Sequence, residues 1–305
     1  MNPRDQLARF ARPLVTTICA LALVGTASAQ NYDKVEIKTA KLGNGVHALF
    51  GAGGNIGMLS GPDGVFLIDD QFAPLTTKIL MAVRRIDSGK LRFLLNTHWH
   101  FDHTGGNENM AQQTGVNIIA HDNVRSTMAV PQELKAFNRK VPASPAAALP
   151  VLTYADGATL HLNGETVNIV HVPDAHTDGD SIVKFEKANV IHMGDTFFNG
   201  FFPFIDAEHG GTLAGMIGAA DKALAMSTDS TQIIPGHGPM ANKQALRAFR
   251  DMLSEMLGLV KAAKAKNQGP EDLASSDAFK AIDAKWGGGF LKGPVFLKIA
   301  FASVK

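Results

Sequence analysis

Between Thr97 and His103 the chain reads Thr-His-Trp-His-Phe-Asp-His, which places three of its 11 histidines and one carboxylate within six residues. His98 and His100 lie two apart, so in extended backbone their side chains point the same way and can share one ion. Asp102 and His103 follow at a different offset, and a turn there aims them at a second point nearby. Imidazole and carboxylate are the donors left for a divalent metal when thiolate is absent. The spacing predicts two adjacent metal sites. An expression tag is contiguous and terminal, and this cluster is neither.

These four side chains do not complete two sites, so later parts of the chain must contribute. Three positions offer a donor beside glycine at the end of a strand-like run: His176 in Pro-Asp-Ala-His-Thr-Asp-Gly, Asp195 in His-Met-Gly-Asp-Thr, and His237 in Pro-Gly-His-Gly-Pro. Loops at strand ends are where such side chains converge. His47, His121, His161, His171 and His192 read as strand or surface histidines. His209 stands apart because its loop follows the Asp195 strand. Phe197, Phe198, Phe201, Phe202 and Phe204 crowd the same loop, a composition that suits core packing or the apolar wall of a cleft.

The elements that must hold these residues alternate in two rounds. From Val35 to Asp70 short β-favouring runs are punctuated by glycine, the pattern of an antiparallel meander. Helical spacing over residues 73–86, a buried strand at 91–97, a short helix at 107–115 and a strand at 116–121 then predict a layered α/β arrangement. Residues 122–139 read as a helix capped by Asp122 or Asn123. A second strand-rich block, 158–195, leads into a helix over 213–226, a strand at 231–236 and a helix over 241–264. Two similar β/α halves packed face to face account for this order.

The first 29 residues have the layout of an export signal, with Arg4, Arg9 and Arg12 ahead of an apolar stretch from Leu14 to Gly25 and Ala27-Ser28-Ala29 as the cleavage site. Cleavage there leaves residues 30–305 as one domain in the periplasm or outside the cell. The single cysteine, Cys19, falls in that segment. Structural disulfides and thiolate ligands are thereby excluded from the remainder. The formal net charge is +1 with no Lys/Arg cluster, which argues against a nucleic-acid partner. No later stretch is apolar enough to be expected in a membrane.

Read in order, His98, His100, Asp102, His103, His176, Asp195 and His237 make this sequence similar to the metallo-β-lactamase superfamily of hydrolases. The hallmark of that family is a His-x-His-x-Asp-His loop followed by His, Asp and His. The resemblance runs from about Val35 to Asp251, and Asp69 in Val-Phe-Leu-Ile-Asp-Asp matches the family's early strand-end aspartate. It implies a four-layer αββα sandwich with the metals at one edge. It also implies two zinc ions per chain, one held by His98, His100 and His176, the other by Asp102, His103 and His237, with Asp195 bridging. A hydroxide between the ions is the implied nucleophile. The cations lower the pKa of the water that yields it, and their net positive charge stabilises the oxyanion. Asp102 and Asp69 are the carboxylates implied to serve the reaction, Asp102 at the metal and Asp69 behind the loop, orienting an imidazole.

Two departures from the family pattern matter. The third motif, which the family often writes Pro-Gly-His-Thr-Pro-Gly, keeps His176 and Thr177 here but carries two extra acids, Asp174 and Asp178. Position 195 carries Asp where well-known zinc β-lactamases have cysteine or no bridging group, which resembles the lactonase and glyoxalase II branches. The expected activity is attack on the carbonyl of a small molecule, opening a β-lactam or lactone. The alternatives are a thioester hydrolase of glyoxalase II type, a mononuclear iron persulfide dioxygenase using His98, His176 and Asp195, and an envelope protein that binds zinc without catalysis. A flavin-linked diiron reductase fits less well, because that branch carries a carboxylate at the position of His100.

Overall fold

Glycine-punctuated strands open the computed structural model, which describes residues 31–304; the expected export signal lies outside the described residues. Strands β1 (Lys38–Gly43), β2 (Val46–Phe50), β3 (Ile56–Leu59) and β4 (Val65–Ile68) form the predicted antiparallel meander. Helix α1 (Thr76–Ile86) then crosses to β5 (Leu91–Leu95), which runs parallel to β4. The short α2 (Phe101–Thr104) and α3 (Asn107–Thr114) lead to β6 (Asn117–His121), parallel to β5.

The helix expected over 122–139 is a shorter element. Helix α4 (Asp122–Met128) stops before Pro131, whose ring disfavours helical backbone in the residue ahead of it. A small hairpin, β7 (Gln132–Leu134) and β8 (Arg139–Val141), takes up the remainder, with Asn138 in left-handed backbone at φ +47°. The cap also differs from expectation, since the His121 side chain accepts from the Asn123 N–H.

Strand β9 (Leu152–Tyr154) closes the first sheet, in the order β1-β2-β3-β4-β5-β6-β9. The second sheet takes β10 (Gly157–Leu162), β11 (Glu165–His171), β12 (Ser181–Phe185), β13 (Val190–His192), β14 (Gln232–Ile234) and β15 (Ala241–Asn242) in sequence order. Helix α5 (Leu213–Ala225) makes β13 and β14 parallel neighbours. Helix α6 (Lys243–Ala265) starts two residues later than expected, because Ala241 and Asn242 pair with β14 and Asn242 caps the helix through the Ala245 N–H. Three further helices, α7 (Pro270–Ala274), α8 (Asp277–Trp286) and α9 (Gly293–Ser303), complete the described chain.

Three apolar cores separate four layers. Between the sheets, Val46, Leu59, Phe66, Ile68 and Leu95 meet Val167, Ile169, Val183, Phe185 and Ile234. The other face of the first sheet packs Met58, Val65 and Leu67 under Ile79, Leu80 and Val83 of α1. The other face of the second packs Ile182, Ile191 and Ile233 under Met216 and Ala220 of α5 and Leu253 of α6. Alternate residues of β4 serve different cores, so the strand reads as an unbroken apolar run. Each such side chain contributes roughly 1.5–3 kcal/mol by leaving water. This is the four-layer αββα arrangement that the sequence led us to expect.

The layers matter for function because of where they end. Strands β4 and β5 are parallel, as are β13 and β14, so their carboxyl ends open at one edge of each sheet. The β11–β12 connection emerges beside them. The two edges are tied where the Ser181 N–H donates to the Thr97 carbonyl at 2.9 Å. Among the described residues no helix is long and apolar enough to cross a membrane.

Candidate metal centre

Every sequence-nominated donor lies on that edge. His98, His100, Asp102 and His103 follow β5, His176 sits in the β11–β12 loop, Asp195 follows β13 and His237 follows β14. The side chains fall into two groups that could each hold an ion, His98 with His100, His176 and Asp195, and Asp102 with His103 and His237. Asp195 adjoins both: its Oδ2 lies 3.5 Å from His176 Nε2 and 3.3 Å from His237 Nε2, and its Oδ1 lies 3.0 Å from His103 Nε2. His237 Nε2 is also 3.2 Å from Asp102 Oδ2.

The outer hydrogen bonds fix which nitrogen of each ring faces inward. His176 Nδ1 donates to the Phe204 carbonyl at 2.8 Å, an atom that can only accept, and so Nε2 carries a lone pair. His100 Nε2 donates to Asp206 Oδ2 at 2.9 Å, leaving Nδ1 as the inward atom. His103 Nδ1 donates to Asp69 Oδ2 at 2.7 Å. The Thr97 hydroxyl also donates to Asp69 Oδ2, at 2.8 Å, so at 3.0 Å it accepts from His98 Nδ1. Tautomer control of this kind by outer partners is a regular feature of metal-binding histidines.

Two observations show that this donor set fits a cation. His98 Nε2 is buried and has no hydrogen-bond partner among the described residues. His100 Nδ1 and His176 Nε2 approach to 2.8 Å although each ring has its proton on the far side. Two lone pairs at that distance repel, and a positive ion between them removes the conflict. A divalent metal held by nitrogen and carboxylate oxygen meets both demands.

The surroundings tune the groups differently. Burial, and then the imidazole of His103, holds His98 well below its ordinary value. Burial likewise lowers His176, to about 4. In the other group burial opposes protonation but loses to carboxylates: Asp195, Asp102 and Asp69 hold His103 well above its ordinary value, and Asp195 and Asp102 raise His237 to about 9. A metal entering the second group must therefore displace protons below pH 9, whereas His98 and His176 are already neutral at pH 7. Affinity at the second group is expected to rise with pH up to about 9, whereas His98 and His176 add no such rise near neutral pH at the first. Calorimetric metal titrations in buffers of different ionisation enthalpy check this through the protons released at each step.

Backbone placement clears room for the cluster. A Cβ on Gly54 would lie 2.0 Å from the His103 ring, and one on Gly236 would lie 2.1 Å from Asp195 Oδ1. Asp69 itself adopts left-handed backbone at φ +64°, is fully buried and takes the Thr97 N–H on Oδ1 at 2.8 Å. Its two oxygens are thus committed to Thr97 and His103. This makes Asp69 a positioning residue, the place behind the loop that the sequence reading gave it. Asp102 lines the open side, where its side chain is 20% exposed and that of His237 is 19% exposed, while those of His98, His103 and His176 are closed off.

Sequence reasoning missed Asp206. Its carboxylate accepts from His100 and, at 2.7 Å, from His209 Nδ1, whose other nitrogen meets Gln132 Oε1 at 3.0 Å. His209 therefore reaches the centre only through Asp206, and its position in that loop was the available signal. Asp174 and Asp178, the extra acids of the third motif, do not join either group. His192 is buried against the Asn55 carbonyl, as a strand histidine should be.

Comparison with known proteins agrees with this geometry. Residues 50–238 match the model of the metallo-beta-lactamase superfamily, a span that contains all seven donors and Asp69. Among curated proteins, the chain is 26% identical over 199 residues to a hydroxyacylglutathione hydrolase of Nitrosococcus oceani, covering 65% of this chain and 67% of that one. It is 27% identical over 179 residues to the hydroxyacylglutathione hydrolase of a Polaromonas species, covering 58% and 60%. The matched region thus spans about two thirds or less of those relatives. Among solved structures, a metallo-beta-lactamase from Pontibacter korlensis superposes with a TM-score of 0.57 at 16% identity over 72% of this chain and 99% of that one. The sec-alkylsulfatase Pisa1 of a Pseudomonas species gives 0.62 at 15% identity over 87% and 50%. At such identities the structural likeness speaks for the fold alone, but the family match extends over more than half of the sequence and takes in every donor of the centre. This chain belongs to the metallo-beta-lactamase superfamily of metal-dependent hydrolases.

Proposed function

We propose that the chain is an exported hydrolase that holds two zinc ions and cleaves an acyl bond at a carbonyl, with a lactone or β-lactam as substrate. The observation that carries this reading is the placement of Asp195 between two donor groups, each otherwise complete with three side chains. Two bound zinc ions supply a nucleophile at neutral pH and positive charge beside the carbonyl oxygen. The chain's own residues set the conditions for that chemistry. Asp69, Asp206 and the Phe204 carbonyl hold four imidazoles in the tautomers that face inward, directly or through Thr97. The apolar ring of Phe198, stacked on His237 at 5.1 Å and 19°, keeps water off one face.

A second reading, hydrolysis of a thioester, is supported by the names of the curated relatives and shares every step at the carbonyl. Elemental analysis and a hydrolysis panel on one preparation separate the readings. Two zinc ions per chain with turnover of a lactone or β-lactam supports the first, and turnover of acylglutathione alone supports the second. One iron per chain with no hydrolysis overturns both.

The allocation of donors has its own test. His103→Ala is expected to empty mainly the second group, giving about one metal per chain, because His103 is one of its three side chains and lies only beside the other group. Loss of the first ion with retention of the second, distinguished by cobalt spectra of the variant and its parent, contradicts the allocation.

A further inference from the structure

The C-terminal helices lie outside the residues matched by the family model, yet they send one side chain to the metal centre. Phe290, in the loop between α8 and α9, is 56% exposed. Its ring centroid lies 6.3 Å from that of His237 and 6.2 Å from those of both Phe198 and Phe201. His237 and Asp102 are the partly exposed donors, so Phe290 stands on the side from which a substrate reaches the centre.

The position of Phe290 is built rather than incidental. The next residue, Leu291, is 3% exposed and belongs to the core beside the second sheet. The Phe202 N–H donates to the Trp286 carbonyl at 3.0 Å, which ties the 198–202 loop to the end of α8. A Cβ on Gly289 would lie 2.6 Å from Phe201 Cβ, so only glycine lets the two loops approach this closely. The loop thus buries a leucine and leaves the larger phenylalanine facing solvent beside two other phenylalanines and a donor imidazole. An exposed apolar surface at the mouth of a polar centre marks a place where a ligand excludes water.

We propose that Phe290 is a specificity-determining residue that forms, with Phe198 and Phe201, a subsite for an apolar group next to the scissile carbonyl. The proposal rests on the hydrolase reading and deepens it: the substrate class is an acyl compound carrying an alkyl or aryl substituent rather than a small polar acyl group. Phe198 is fully buried and backs the subsite beside His237, the partly buried Phe201 supplies the floor, and Phe290 supplies the outer wall.

The test uses the zinc-loaded full chain and two matched pairs of probes. With 4-nitrophenyl acetate and 4-nitrophenyl hexanoate, the parent is expected to show a KM about tenfold lower for the hexanoate, a fraction of the roughly fourfold per methylene that full burial gives. Phe290→Ala should reduce that ratio to about twofold, and Phe290→Leu should keep most of it. Acetanilide and hexananilide, titrated by calorimetry, give the same comparison without turnover. A ratio unchanged by Phe290→Ala in either measurement overturns the subsite. If neither ester is hydrolysed, the hydrolase reading is judged on the lactone, β-lactam and acylglutathione panel, and the anilide pair alone decides whether Phe290 recognises an apolar chain. An equal loss of metal in Phe290→Ala and its parent after chelator challenge shows that the variant acts on recognition and not on the centre.

Discussion

Asp195→Ala is expected to bring bound metal below one ion per chain and to lower turnover by a thousandfold or more, about 4 kcal/mol of barrier. The carboxylate reaches three imidazoles, two from the second donor group and one from the first, at 3.0–3.5 Å. Asp102, the other donor carboxylate, meets imidazoles of the second group alone. Its ionisation is secure despite burial, because His103, His237 and His98 press its pKa well below the usual range. Removing it has a second consequence that can be measured separately. His103 and His237 lose the carboxylate that contributes most to holding their protons, so the protons released when metal enters the second group should fall in number at pH 7. Two full metals and a near-parental rate in this variant would remove Asp195 from the bridging role.

Much of this centre was legible because it is written in runs. The His-x-His-x-Asp-His loop declares itself through composition, and His176, Asp195 and His237 each follow an apolar strand and adjoin glycine. The strands were equally plain where both faces are buried, since β4 is unbroken apolar text. What stayed hidden depends on tertiary contact. Asp206 comes from a loop of mixed composition, and only the folded chain reveals that its carboxylate meets His100, 106 residues away. The 122–139 segment carries helical spacing throughout, but Pro131 breaks it and the resulting hairpin packs Leu134 into the core. The C-terminal segment has glycines before Phe290 but no metal donor among them, so Phe290 reads as one apolar residue among many until its loop is placed beside His237.

The role of Asp69 illustrates a further limit and yields the most discriminating expectation. Its position at the end of a strand was visible, but its work is done through proton positions. Oδ1 accepts the Thr97 N–H, and Oδ2 accepts both the Thr97 hydroxyl and His103 Nδ1. Consider Asp69→Asn, which preserves shape. The Thr97 N–H is a fixed donor, so the amide oxygen must stay opposite it and the amide nitrogen takes the place of Oδ2. That nitrogen donates to His103 Nδ1, which forces the proton onto Nε2, the atom facing Asp195. It donates also to the Thr97 hydroxyl, which then gives its own proton to His98 Nδ1 and drives His98 into the opposite tautomer as well. One isosteric change thereby blocks one nitrogen in each donor group. Metal affinity is expected to fall 10–100-fold at both groups, the usual cost of disturbing such outer partners. The fold should persist, since the hydrogen bonds are exchanged rather than lost. Nitrogen-15 spectra of the metal-free variant, recorded at a pH high enough for His103 to be neutral, read the tautomers directly. Nε2–H on His103 and His98 with a near-parental melting temperature is the expected result, and parental tautomers with weakened metal binding would show that Asp69 acts through charge alone.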